Sequence, residues 1–267
     1  MAEGQGASAP GATGSSGVRR LLAIEAATEG LSVAVLEGER VVAERALSEA
    51  RQHAALLLST VDETLRAAGL ALRDLEAMAI SAGPGSFTSL RISLATLKGL
   101  AFGRDLPVVG VSTLEAMAFG VLEAADARAA DAEVLSLLDA RRGEWYAGAW
   151  RAAADPGGLP WPTLAEGLYA PARLVQDLPR TVVVVAPESG WRSAFERAGL
   201  RFAAAIEGPE ARPMAAAVGR LAARRLDRGE GQTAAALSAR YLRRAEAEAR
   251  RTGQAVEAGE TERIEPG

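Results

Sequence analysis

A glycine-rich loop, Gly83-Pro84-Gly85-Ser86, is the segment of this sequence best suited to chemistry. It lies between an apolar run and a helical pattern, so its glycines would allow a sharp turn and leave backbone amides exposed. Amides at the start of a helix bind anions such as phosphate, and Ser86 is a suitable N-terminal cap. The same residues also suit a tight strand-to-helix turn without a ligand, and both interpretations stay open.

Two acidic residues, Glu25 and Asp139, stand at the ends of two other apolar runs. In a nucleotide-binding enzyme, carboxylates in such positions hold magnesium through water. They can equally accept hydrogen bonds from their own turns or, for Asp139, pair with the arginines that follow it. With Gly83 and Gly85 they are weak candidates for a nucleotide or magnesium site, because the turn after Glu25 has no glycine before Gly30.

The composition excludes several other kinds of site. The chain has one histidine, His53, and no cysteine, so a metal site with several imidazole ligands and thiolate catalysis are both excluded. Its net charge of −4 gives no general attraction to nucleic acid or to anionic membranes. Neither a signal peptide nor an apolar run of about 20 residues is visible, which favours the cytoplasm. We predict no catalytic residue and no cofactor or metal bound by the chain itself.

The elements that position these residues follow one pattern that occurs twice. In each half, three strands are followed by a helix, a strand, a second helix and a fifth strand. The first set runs from Leu21 to Val111 and the second from Glu133 to Ile206, and helices follow at Leu114–Ala127 and Pro213–Arg228. Two βββαβαβ units with mixed sheets and flanking helices predict the α/β class. They indicate duplicated ribonuclease-H-like halves of the actin-like ATPase superfamily.

The same pattern predicts four parts along the chain. A disordered tail at 1–18 and a flexible tail at 253–267 are indicated by small, polar and acidic residues. Between them, a first ribonuclease-H-like half at 19–113 carries the helices suited to dimerisation. A second half with the C-terminal helix occupies 114–252.

The two helices of the first half carry more apolar surface than one sheet requires. Apolar residues recur at heptad spacing from Phe87 to Ala101, and the helix at Gln52–Ala68 has a similar stripe. Such broad surface suits burial against the sheet on one side and against a partner on the other. The alternative, that all of it faces the chain's own core, fits the pattern equally. The predicted partner interface consists of Leu57, Val61, Leu65, Phe87, Leu90, Leu94, Leu97 and Ala101.

Several of these segments resemble the bacterial TsaB (YeaZ) family. The specific matches are Gly83–Thr88, Leu90-Arg91-Ile92, Gly99-Leu100-Ala101 and Pro107–Leu114. Supporting matches are Leu22-Ala23-Ile24, Ala27-Thr28, Asp139-Ala140-Arg141, Gly143-Glu144 and Tyr241-Leu242-Arg243. The resemblance therefore spans about Leu21 to Arg243. Glu25 departs from it, since the family typically has aspartate there, and Ser89 stands where the family typically has glycine.

The resemblance implies a non-catalytic dimerisation or scaffold subunit of the tRNA adenosine threonylcarbamoyl transferase. Such a subunit pairs with the catalytic subunit TsaD and works with the ATPase TsaE. Together they form threonylcarbamoyladenosine next to the anticodon of tRNAs that read codons beginning with A. The resemblance further implies that ATP and metal bind to the catalytic partner, that a homodimer can form through the same helices, and that tRNA is met through the complex, without a membrane.

Two other functions stay open at the level of sequence. A small-molecule kinase or ATPase of the actin-like superfamily would use Glu25, Asp139 and the Gly83–Gly85 loop. Direct contact with tRNA would use the stretch from Arg212 to Arg251, which holds ten arginines against four acids. The simpler interpretation of that stretch is a solvated, arginine-rich helix face.

Overall fold

The computed structural model describes residues 19–47, 53–124, 132–155, 157–178 and 181–243. The predicted tails at 1–18 and 253–267, and residues 244–252 of the predicted second half, lie outside this part. The first half contains β1 (Arg20–Glu25), β2 (Leu31–Glu37), β3 (Arg40–Leu47), α1 (His53–Ala67), β4 (Ala77–Gly83), α2 (Phe87–Ala101), β5 (Val108–Ser112) and α3 (Thr113–Ala124). The second contains β6 (Glu133–Asp139), β7 (Trp145–Arg151), β8 (Trp161–Tyr169), α4 (Pro171–Asp177), β9 (Val182–Ala186), α5 (Trp191–Arg197), β10 (Phe202–Glu207) and α6 (Ala215–Asp227).

The two halves repeat one sheet topology, which confirms the predicted fold class. The strand orders are β3-β2-β1-β4-β5 and β8-β7-β6-β9-β10. In each sheet the first three strands are antiparallel, and the fourth pairs parallel with the first and with the fifth. The parallel strands are joined through helices, as right-handed crossovers require.

Helices cover both faces of the first sheet. On one face, Leu22, Ile24 and Met78 pack against α1 and α2. On the other face, Leu21 and Ala23 pack against α3 and α6. Consecutive strand residues thus point to opposite cores, which is why β1 and β4 are apolar at nearly every position.

The final helix of each half packs on the opposite half. Helix α3 lies between the two sheets, with Phe119 in the core of the first half and Met117 in the core of the second. Helix α6 packs on the first sheet. The sequence placed α6 in the second half, because chain order says nothing about which sheet a terminal helix covers.

A segment at 231–243, here called the C-terminal strap, follows α6 without regular secondary structure. Gln232 and Val108 each donate a backbone hydrogen bond to the other at the edge of β5. Leu237 is buried in the core between the first sheet and α1–α2. The strap then reaches the second half, and this path was not predicted. No helix within the described part of the chain is both long and apolar enough to cross a bilayer.

Candidate functional site

The turn after β1 turns its acid inward. Glu25 is 1% exposed, and its Oε1 accepts hydrogen bonds from the amides of Ala27 at 2.8 Å and Thr28 at 3.3 Å. Burial raises the pKa of this carboxyl to about 8, against the lowering effect of those two amides. Its Oε2 is buried and has no hydrogen-bond partner among the described residues. The predicted magnesium candidate therefore serves its own turn.

The equivalent turn of the second half also closes on its own backbone. Asp139 Oδ1 accepts from the amide of Arg141 at 2.7 Å, and Arg141 Nη1 lies 3.3 Å from Asp139 Oδ2. Arg141 and Arg142 have φ of 67° and 59°, and Gly143 continues the left-handed run at 79°. Only the glycine suits this region without strain. The predicted alternative for both acids, in which they accept local hydrogen bonds, is confirmed.

The Gly-Pro-Gly loop packs tightly on the first turn. A Cβ on Gly85 would lie 2.1 Å from the carbonyl oxygen of Ala27, and the Ser86 amide donates to that oxygen at 2.7 Å. Gly83 has φ of 111°, and a Cβ there would lie 2.7 Å from the carbonyl oxygen of Arg240. Ser86 caps α2 as predicted, accepting from the Ser89 amide at 3.4 Å. The glycines therefore allow close packing, and the Ser86 amide already has a protein acceptor.

The C-terminal strap joins this loop to the second half. The Arg240 amide donates to the Ala82 carbonyl at 2.7 Å, and the Tyr241 ring lies 5.2 Å from the Phe87 ring between centroids. Arg243 bonds to the Ala140 carbonyl and to the Glu144 carboxylate. Sequence reasoning found these arginines only as part of a charged stretch, because an irregular strap has no periodic signal.

A cavity of about 200 Å³ lies between the loop, the turn of the second half and the strap. Gly85 lines it, whereas Gly83, Glu25 and Asp139 do not. Near Asp139, burial is the main cause that raises the pKa of the Glu188 carboxyl, and the charges of Asp139 and Glu29 raise it further. Within the described ranges, no three His, Asp or Glu side chains are grouped so as to bind a metal ion.

Most of the predicted partner residues belong to the chain's own core, and the structure corrects that assignment. Leu94 is partly buried against the same core, and Phe87 is half-buried beside Tyr241. The sheet attracts the large side chains of both helices, so a stripe of leucines marks the inward face. The six fully buried residues are Leu57, Val61, Leu65, Leu90, Leu97 and Ala101.

The outward face of α1 and α2 carries a different set of residues, here called the outer helix face. Leu58 is 57% exposed and Phe102, just beyond α2, is 89% exposed. Ala95 and Gly99 on α2 are exposed between them in sequence, and no described atom lies within 4 Å of a Cβ built on Gly99. Exposed large apolar side chains beside small residues make a surface on which another helix can pack closely.

The arginine-rich stretch is largely engaged within the chain. Arg224 pairs with Glu39 and Glu123, and Arg225 with Glu115. Arg212, Arg220, Arg240 and Arg243 also pair with acids. These contacts favour the structural interpretation of the stretch over a general tRNA-binding face.

Comparison with known proteins was made by family and by relative. Residues 40–176 match the family model described as TsaD: tRNA N6-adenosine threonylcarbamoyltransferase. The "tRNA threonylcarbamoyladenosine biosynthesis protein TsaB" of Escherichia coli is 42% identical over 127 residues, covering 48% of this chain and 53% of that protein. The corresponding protein of Bacillus subtilis is 32% identical over 131 residues, covering 49% and 55%. The chain thus matches about half the length of these curated relatives.

Solved structures extend the similarity over most of the fold. The structure of YeaZ from Pseudomonas aeruginosa is 31% identical, with a TM-score of 0.72, and the match covers 84% of this chain and all of that one. The expected resemblance is confirmed by sequence, by family model and by fold. The chain belongs to the TsaB (YeaZ) family.

Proposed function

We propose that this chain is the non-catalytic scaffold subunit of the tRNA adenosine threonylcarbamoyl transferase. The outer helix face is the observation that carries the proposal, since it leaves Leu58 and Phe102 exposed to solvent. The curated relatives named as threonylcarbamoyladenosine biosynthesis proteins support the pathway. In this proposal the chain acts by binding a TsaD-type catalytic subunit, with TsaE as the third component.

The outer helix face suits another helical surface. Gly99 and Ala95 let a partner helix approach the backbone of α2 closely, and Leu58 and Phe102 offer apolar area to bury. A second copy of the chain or the catalytic subunit can use the same face, so homodimer and heterodimer compete. The apolar side chains named are then buried only in a complex.

The state of the cleft supports a non-catalytic role. Glu25 and Asp139 are bonded to amides of their own turns, and the Ser86 amide is bonded to Ala27. Neither acid is then free to organise magnesium in this arrangement, as a kinase or ATPase of this fold would need. We assign ATP and metal to the catalytic partner, and tRNA contact to the complex.

The test is an arginine on the outer helix face. Gly99→Arg has room for the side chain in the free chain, so folding is retained, but the charge would be buried in a complex. Binding to the catalytic subunit, measured by titration calorimetry, is expected to weaken by about a hundredfold. Threonylcarbamoyladenosine formation in a reconstituted reaction should fall in parallel.

Gly120→Arg is the matched control. Gly120 also lies in a helix with no described atom within 4 Å of a built Cβ, but on α3. It should bind and support modification like the wild type. Unchanged binding of Gly99→Arg would place the interface elsewhere. Full modification without this chain, or ATP turnover by the isolated chain, would contradict the scaffold role itself.

A further inference from the structure

We propose that the cavity between the Gly-Pro-Gly loop, the turn after β6 and the C-terminal strap binds one nucleotide, free or within an RNA strand. Its phosphate would meet arginines and its base would stack on aromatic rings. The inference does not depend on the proposed scaffold role, because the cavity is formed by the isolated chain and lies apart from the outer helix face.

The walls of the cavity have a composition that suits a nucleotide. Four arginines and three aromatic residues are among the twelve lining residues, and none of the twelve is Asp or Glu. This is a local exception in a chain with a net charge of −4. Guanidinium groups bind phosphate through paired N–H donors, and aromatic faces stack on bases of any sequence. The residues that carry this argument are Arg141, Arg142, Arg240, Arg243, Tyr146 and Tyr241.

The aromatic wall is already held in place. The Phe87 ring lies against Tyr241 with an interplanar angle of 41°, and the guanidinium of Arg91 lies 3.9 Å from the Phe87 centroid. Arg91 Nε also donates to the Tyr241 hydroxyl at 3.4 Å. Tyr241 remains 42% exposed, so part of its surface is open to a ligand. A wall fixed before binding loses less entropy when the ligand arrives.

The arginines are positioned by acids outside the cavity lining. Arg243 pairs with Glu144, Arg141 with Asp139 at 3.3 Å, and Arg240 with Glu166 at 3.4 Å. A guanidinium has five N–H donors, so an ion pair on one edge leaves donors for a phosphate on another. The side chains of Arg141 and Arg240 are 84% and 50% exposed, which leaves them accessible.

The backbone of the turn is a further observation in favour of a ligand. Arg141 and Arg142 both have positive φ, a conformation that glycine adopts without strain. A turn built only for connection would be better served by glycine at these positions. Two long cationic side chains held in this conformation at the mouth of a cavity indicate that the side chains themselves are used there.

The size of the cavity limits the ligand. About 200 Å³ is smaller than the pockets that bind drug-sized molecules, which begin near about 300 Å³. The space suits one phosphate with its ribose or base. No carboxylate lines it to hold magnesium, so a metal-bound triphosphate is a poor fit.

The test uses the full chain with AMP, inorganic phosphate and a short single-stranded oligoribonucleotide, each titrated by calorimetry. The double variant Arg141→Gly, Arg142→Gly removes two guanidiniums and suits the left-handed backbone, so folding is retained. It should bind AMP or the oligonucleotide about tenfold or more weakly. The control Arg173→Ala, Arg197→Ala removes the same charge from exposed positions on α4 and α5 and should bind like the wild type.

A second pair of variants tests stacking. Tyr241→Phe keeps the ring and should retain binding, whereas Tyr241→Ala should lose it by about tenfold. Tighter binding of AMP identifies a free nucleotide as the source, and tighter binding of the oligonucleotide identifies RNA; both support the site. Absence of binding by both, equal loss in the control, or phosphate binding as tightly as AMP would overturn it.

Discussion

At the scale of the residue, Glu25 is a carboxylic acid placed where water cannot reach it. Burial raises its pKa to about 8, so at neutral pH it is mostly protonated in the folded chain. The unfolded chain loses that proton near its ordinary value of 4.5. The folded state therefore binds the proton more tightly, and this contribution to stability is complete below pH 4.5 and is lost as pH rises through about 8.

The prediction is that Glu25→Gln weakens the pH dependence of unfolding. Each unit of pKa difference corresponds to about 1.4 kcal/mol, so the wild type should lose a few kcal/mol between about pH 5 and about pH 9. The amide cannot ionise, so most of that loss should disappear in urea titrations of the variant. Glu210→Gln, at an exposed position, is the control and should keep the wild-type profile. Parallel profiles for Glu25→Gln and the wild type would contradict this account.

At the scale of the element, the sequence predicted helix α2 nearly completely. The Ser86 cap, the apolar stripe and the end at Ala101 all agree with the structure. The stripe shows which residues share a face, but it cannot tell a sheet from a partner. The large side chains face the sheet, and the exposed positions carry small residues such as Ala95 and Gly99. Only the three-dimensional layer order separates these two surfaces.

The C-terminal strap and the exchanged helices could not be predicted for a different reason. Leu237 meets the first sheet, although more than a hundred residues separate it from β5. Local pattern carries no information on such long-range contacts, and an irregular segment has no period to read. The cavity was missed with them, because Arg240 and Tyr241 reach it only through the strap.

Helices α3 and α6 are held together by a largely buried ion pair, which gives a prediction at this scale. Arg225 Nη2 lies 2.6 Å from Glu115 Oε2, with side-chain exposures of 19% and 8%. Arg225→Leu leaves Glu115 buried without its partner and should lower the free energy of unfolding by about 3 kcal/mol. Adding Glu115→Leu removes the unpaired charge and should recover much of the loss. If the double variant is less stable than the single variant in urea unfolding, the pair does not act in this way.

At the scale of the whole molecule, three connections tie the halves together. Helix α3 contributes Phe119 to one half and Met117 to the other, α6 covers the first sheet, and the strap reaches the turn after β6. Separating the halves would expose apolar faces of both sheets. We therefore expect the described part of the chain to unfold as one cooperative unit.

The positions of tryptophan allow this to be tested. All four tryptophans, at 145, 150, 161 and 191, lie in the second half, so their fluorescence reports on that half, whereas circular dichroism reports on both. Leu97→Ala changes a fully buried side chain in the core between α2 and the first sheet, and should cost about 2–5 kcal/mol. With cooperative halves, the tryptophan midpoint in urea shifts by the same amount as the dichroism midpoint. An unshifted fluorescence midpoint with a biphasic dichroism curve would show that the halves unfold separately, in spite of the exchanged helices.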